Sequence, residues 1–258
     1  PTAGSIPLDV HPDPRTDQPI AGPMGRTVAD MALLLGVMGS AEVSAAPVPT
    51  APRVAFSPDL GDLPVDPPVR AATARTVDAL ADAGWEVVEA CPDLTGADRC
   101  FEDLRGLFQT FHMAPLVDDE RVKATARYEI RLGLSLDADR IAAAVATEGR
   151  IRSDWDRFFV EGQFDAFLSP TTQVSPFPVG MEWVDEIDGV SLDHYTHWMR
   201  SCSRITVTGA PSASLPAGFT DGGLPIGIQF AGRRHGDAAL VALLAAAEEV
   251  FGTAPAPD

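Results

Sequence analysis

The 258-residue sequence predicts an α/β fold, a mixed β-sheet flanked by helices. Three observations carry this. Arg53 to Ser57 (RVAFS) and Trp85 to Ala90 (WEVVEA) are short apolar runs separated by a helical pattern that puts Val69, Thr73, Val77 and Leu80 on one face. Strand, helix and strand at that spacing form a βαβ-like unit. Ser212 to Phe219 and Ile226 to Ala231 flank the turn residues Asp221-Gly222-Gly223, a hairpin signature in which Ile226, Ile228 and Phe230 alternate with Gly227 and Gln229. Ile141, Val145, Ile151, Trp155 and Phe158 recur at helical spacing between Asp137 and Glu161.

The remaining elements fall into place around these. The first twenty-three residues hold six prolines and no helical or strand period, so they read as an irregular lead-in. A helix is expected from Thr27, with Asp30 three residues on as its capping partner, to a stop at Gly39. Val28, Met31, Ala32, Leu34, Leu35 and Met38 make it apolar on nearly every face, which predicts burial on most sides. Residues 41–52, rich in Ala, Pro, Val and Ser, read as a loop or linker. The Val69 helix ends at Gly84, and residues 101–162 are mostly helical. Asp165 to Pro170 (DAFLSP) is a buried strand, followed by a proline-rich loop to Pro178. A helix is expected over Leu192 to Ile205, and a final amphipathic one over Asp237 to Phe251, with Leu240, Leu244, Ala247 and Phe251 on one side. There is no internal repeat.

Composition narrows the function. Acidic residues outnumber basic ones 37 to 19, a formal charge of -18, which repels phosphate backbones and anionic lipid headgroups and argues against nucleic-acid and membrane partners. The longest apolar run, Met31 to Met38, is too short to span a bilayer, and no signal peptide is visible. Cys91, Cys100 and Cys202 form no CxxC and lie far from clustered histidines, so neither a zinc site nor a disulfide framework is expected. A reduced, cytoplasmic setting fits.

Chemistry-bearing patterns are sparse. No GxSxG elbow appears. His194 and His197 lie three apart beside Asp193, but no third ligand stands at helical spacing, so they are expected to be helix-surface or packing residues. Gly222-Gly223 and Gly227 lack the Lys-Ser/Thr of a phosphate loop and read as turn residues. The pairs Asp118-Asp119 and Glu248-Glu249 sit among charged neighbours and read as solvated faces. Lys123, the only lysine, lies between Arg121 and Arg127 with Glu120 and Glu129 nearby; a general base must be desolvated, and this setting is polar. The residues by themselves describe an acidic α/β protein without a self-contained active site.

Two longer stretches say more. Gly22 to Gly39, GPMGRTVADMALLLGVMG, closely resembles the GPM-x-RTVAD-x-A-LL segment of amidase-signature enzymes. Thr208 to Gly232, TGAPSASLPAGFTDGGLPIGIQFAG, resembles that family's TG-P-A-S-VPAGF-x-x-x-GLP-x-G-x-Q-x-x-G segment almost position by position. Phe164 to Gly180 (FDAFLSPTTQVSPFPVG) and Asp193 to Gly209 (DHYTHWMRSCSRITVTG) look like the family segments between them.

The resemblance implies a fold, an activity and a gap. The fold is the amidase-signature fold lacking its N-terminal part, with residues 1–258 as the C-terminal portion of a single domain. The activity is hydrolysis of an amide C–N bond by a Ser–cis-Ser–Lys triad, with no metal or organic cofactor. In the family all three triad residues lie upstream of a segment whose end Pro1-Thr2 resembles, so none is expected here. Ala3-Gly4-Ser5-Ile6-Pro7 is superficially similar to the family's nucleophile loop, but Ser5 stands only 17 residues before Gly22, too close for that role.

What remains is substrate contact. The resemblance places Thr171, Thr172 and Gln173 beside the family's site, with Trp198 in an apolar wall that also includes Tyr195, Met199 and Cys202. For each of these, packing is the competing explanation. The implied partners are a small-molecule amide and a missing N-terminal segment or second chain. The alternatives are an inactive remnant or partner-binding scaffold, and an ammonia-delivering amidotransferase subunit.

Overall fold

The computed structural model describes residues 1–7, 20–39 and 46–252. Most of the proline-rich lead-in and residues 41–45 of the expected loop lie outside the described residues. In chain order the elements are α1 (Val28–Gly39), β1 (Arg53–Phe56), α2 (Pro67–Asp82), β2 (Glu86–Glu89), α3 (Ala97–Met113), α4 (Ala124–Leu134) and α5 (Ala138–Gly162). There follow β3 (Ala166–Pro170), β4 (Glu186–Ile187), β5 (Val190–Ser191), a 3-10 turn at Tyr195–Met199, α6 (Arg200–Thr208), β6 (Ser212–Phe219), β7 (Pro225–Ala231) and α7 (Asp237–Phe251).

Local signals start and stop these elements. Pro67 and Pro68 occupy the first turn of α2, where a missing N–H costs nothing. The Asp137 carboxylate accepts the Arg140 N–H at 2.8 Å to cap α5. The expected Thr27–Asp30 cap of α1 forms, with the Asp30 N–H donating to Thr27 Oγ1 at 3.0 Å.

The main sheet is mixed, in the order β2-β1-β3-β7-β6. β1 runs parallel to both β2 and β3, while β7 is antiparallel to β3 and β6. Because side chains alternate across a strand, the sheet builds two cores. Val54, Ala166, Leu168, Ile228, Phe230 and Leu215 face α2 and α7. Ala55, Phe167 and Ala231 face the other way, onto Phe101 and Leu104 of α3, Trp155 and Phe159 of α5, and Ile205 of α6. The Trp155 indole N–H donates to Gly232 O at 3.1 Å, tying α5 to the end of β7. α3 and α4 cross where a Cβ on Gly133 would lie 2.0 Å from Gly106 O, so only glycine admits that contact.

Two sequence expectations need correction. α1 is not buried on most sides: Val28 and Leu35 pack inward, but Leu33 is 72% exposed, Val37 71%, and the preceding Met24 92%. Apolarity all round predicted enclosure, yet α1 meets α7 on one flank and no described element covers the other. The helix expected over 192–205 begins later and splits in two. The Leu192 N–H donates to Asp185 O at 2.7 Å, and the Leu192 side chain packs with Val174 and Ile187, which holds this stretch extended. Helical turns begin only at Tyr195, and α6 continues past Ile205 to Thr208, ending at Gly209 with φ 67°.

Candidate functional site

The carboxyl end of β3 is where the predicted substrate residues meet the rest of the fold. The Thr171 N–H donates to Gly227 O at 3.2 Å, extending the β3–β7 ladder. Its hydroxyl shares a 2.7 Å hydrogen bond with Ser214 Oγ of β6. A Cβ on Gly227 would come within 2.6 Å of Ser214 Oγ and 2.9 Å of Thr171 Oγ1, so the glycine makes room for this hydroxyl pair. The Thr171 carbonyl accepts from Ser201 Oγ at 2.9 Å and Cys202 Sγ at 3.0 Å, bringing the start of α6 against the loop.

The other predicted residues lie close by but point differently. Thr172 Oγ1 turns back to Val174 O at 2.9 Å. Gln173 is fully buried, its side-chain amide donating to Pro64 O at 3.0 Å while its main-chain carbonyl accepts from Asp66 N at 2.8 Å. Trp198 packs edge-on to Phe177, ring centroids 5.3 Å apart, among Val174, Ile187 and Leu192. The structure thus gathers all four around one loop. Of the four, Thr171 is the one hydrogen-bonded to Ser214, on the exposed face of β6 that also carries Ser212 and Pro216.

Ion pairs around the buried Arg204 fix α6 behind this loop. The Arg204 guanidinium donates to both Asp98 oxygens at 2.8 Å, to Asp62 at 2.6 Å and to Leu60 O at 3.0 Å. Burial opposes its charge, but the two carboxylates more than offset that and hold it above its ordinary value. In the adjoining turn, burial and the hydrogen bond to Glu129 push the Tyr195 hydroxyl up to about 12. Arg105 completes that group, donating to Glu129 and, at 3.3 Å, to the Tyr195 oxygen.

Nucleophiles are scarce in the described residues. Burial raises the thiols of Cys91, Cys100 and Cys202, so little thiolate is available near neutrality. Lys123 is exposed at the start of α4 and, among the described residues, hydrogen-bonds no serine. Ser5 is also exposed, in a turn where its N–H donates to Thr2 O.

Sequence reasoning missed Ser214, Ser201 and Glu102. The period of two along Ser212–Phe219 carried the signal for Ser214, since it puts Ser212, Ser214 and Pro216 on one face. Glu102, on α3, lies beside the His194–His197 pair with its Oε1 3.1 Å from His197 Nε2. No local spacing could reveal it, because 92 residues separate Glu102 from His194.

Beside β6 runs an open groove of about 760 Å³, floored by Leu240, Leu244 and Phe251 of α7 and walled by Val28, Met31 and Leu35 of α1. β6 is the edge strand of the sheet, so one row of its backbone groups is unpaired within the sheet.

Comparison with known proteins places the chain in a family. The amidase family model matches residues 1–241. An indoleacetamide hydrolase of Bradyrhizobium japonicum is 33% identical over 244 aligned positions, which cover 87% of this chain and 50% of that protein. A component of the glutamyl-tRNA(Gln) amidotransferase of Myxococcus xanthus (strain DK1622) is 30% identical, over 90% of this chain and 54% of that protein. The fold matches the crystal structure of a bacterial aryl acylamidase of the amidase signature family with a TM-score of 0.78. That match has 20% identity and covers 97% of this chain and 57% of the other. The chain belongs to the amidase family and spans about half the length of the curated relatives it matches.

Proposed function

We propose that residues 1–258 form the C-terminal portion of an amidase that hydrolyses the C–N bond of a small carboxamide through a Ser–cis-Ser–Lys triad carried by polypeptide outside this chain. In that reaction a neutral lysine draws a proton through the middle serine and the second serine attacks the amide carbonyl. Backbone N–H groups hold the oxyanion, the amine or ammonia leaves, and water releases the acyl group. This portion contributes the border of the pocket: Thr171 and Thr172 on the substrate side, with Gln173 and Trp198 holding the loop from behind. The observation that carries the reading is Lys123, the only lysine in the sequence, which stands exposed and bonded to no serine among the described residues.

The triad-bearing polypeptide, as a preceding segment or a second chain, has a surface to meet. The free edge of β6 and the groove beside it lie together, and an added strand on such an edge gains main-chain hydrogen bonds while its side chains fill the groove. No helix among the described residues is long and apolar enough to cross a membrane. The test is ammonia release from indole-3-acetamide and a panel of aryl amides. We expect none from residues 1–258 alone and EDTA-insensitive turnover once they are joined to the triad-bearing half of an aryl amidase. Turnover by the chain alone, or a folded joined protein inert across the panel, overturns the proposal.

The Myxococcus relative favours a second reading, an ammonia-delivering component of an amidotransferase. Co-purification of a second chain, together with tRNA-dependent amide transfer, would distinguish it. The uncovered α1 flank equally suits a non-catalytic scaffold, which predicts stable partner binding without turnover in any joined form.

A further inference from the structure

The geometry points to a divalent transition-metal site formed by Glu102 of α3 with His194 and His197 of the turn that leads into α6. The three donor atoms lie within 4.8 Å of one another. Glu102 Oε1 and His197 Nε2 are already 3.1 Å apart, close to the separation of about 3.3 Å between neighbouring ligands of a tetrahedral ion with bonds near 2.0 Å. Side-chain shifts of no more than about 1.5 Å bring His194 to the same spacing.

His194 is prepared for this role. Its Nε2 is sealed from solvent and has no hydrogen-bond partner among the described residues, an expensive state for a buried polar atom. Its Nδ1 is 2.7 Å from the hydroxyl of the buried Thr196. The Thr196 N–H also donates to Nδ1, at a long 3.4 Å, so metal binding requires the ring to take the tautomer in which Nδ1–H donates to the nearer hydroxyl and the Nε2 lone pair is free for the ion. Tyr128 and Tyr195, with ring centroids 4.5 and 4.8 Å away, hold the ring in place. The two imidazoles are inclined at 70° with centroids 5.8 Å apart, so they do not stack.

Two histidines and one carboxylate select zinc or a similar borderline cation over calcium or magnesium, which prefer all-oxygen sites. A water fills the fourth position. The ion would pin the turn, and with it Trp198 and the start of α6, to α3. Its role is structural, and it takes no part in amide cleavage.

The test is calorimetric titration of the untagged, EDTA-treated chain with zinc chloride, paired with the visible spectrum of the cobalt(II) form. We expect one equivalent of zinc and the intense absorption of four-coordinate cobalt. Glu102→Gln and His194→Ala should each weaken binding at least tenfold, and Thr196→Val about tenfold. His112→Ala and His235→Ala, at exposed histidines elsewhere, should change nothing. Circular dichroism checks that each variant folds, and the wild-type cobalt spectrum decides the matter if one does not. No stoichiometric binding, six-coordinate cobalt bands, or equal affinity in folded Glu102→Gln would overturn the assignment.

Discussion

Replacing Gly227 with alanine tests the close packing of Thr171 and Ser214. The backbone of Gly227 is not left-handed, so alanine can adopt it, and loss of glycine's freedom in the unfolded chain alone would stabilise by about 0.4–1 kcal/mol. The new methyl, however, would lie 2.6 Å from Ser214 Oγ and 2.9 Å from Thr171 Oγ1. Both hydroxyls must turn away, which breaks their mutual hydrogen bond and strains the β6–β7 ladder. Overpacking of this kind costs roughly 1–3 kcal/mol, leaving a net loss of about 1–2 kcal/mol. For a chain of this size that lowers Tm by roughly 2–8 °C. Urea unfolding followed by tryptophan fluorescence measures it, with a lower midpoint at unchanged slope. Ser214→Ala removes the nearer clash, so the double variant should recover about 1 kcal/mol relative to additivity. A neutral Gly227→Ala, or a strictly additive double variant, would refute the close packing of Gly227, Ser214 and Thr171.

Two further outcomes are expected. Burial, with the nearby Glu148 and Asp103 charges, raises the Cys100 thiol from 9.0 to about 12, so the fold favours the neutral form. That contribution is complete below the unfolded value and is lost as pH rises toward about 12; between about pH 8 and about pH 11 wild-type stability should fall more steeply than that of Cys100→Ala, and parallel curves would contradict this. Leu33→Glu combined with Val37→Glu changes residues that are mostly exposed, so the unfolding free energy from urea titration should move by less than about 0.5 kcal/mol while self-association seen by light scattering declines. A large loss of stability would mean that the outer flank of α1 is packed.

Periodicity and turn chemistry determined most of the fold. The βαβ unit, the hairpin around Asp221-Gly222-Gly223, and helices α5 and α7 were legible because each signal lies within one element. The boundaries of β1, β3 and α7 match their sequence spans to within a residue. The two long motifs also sufficed to indicate the family. Tertiary structure alone decided the rest. Whether an all-round apolar helix is covered depends on which elements reach it, and among the described elements α7 packs on one side of α1 while Leu33 and Val37 stay exposed on the other. The helix expected from Leu192 gave way because a hydrogen bond to Asp185 and contact with Val174 outweighed local propensity. The site shows the same division. Thr171, Thr172, Gln173 and Trp198 are candidates through the family resemblance, and no local pattern singles them out. That Thr171 pairs with Ser214, that Gln173 turns inward to Pro64, and that Glu102 meets two histidines follow from chain reversals across the sheet and helices. Such contacts join residues 43 to 109 positions apart, and no local pattern encodes them.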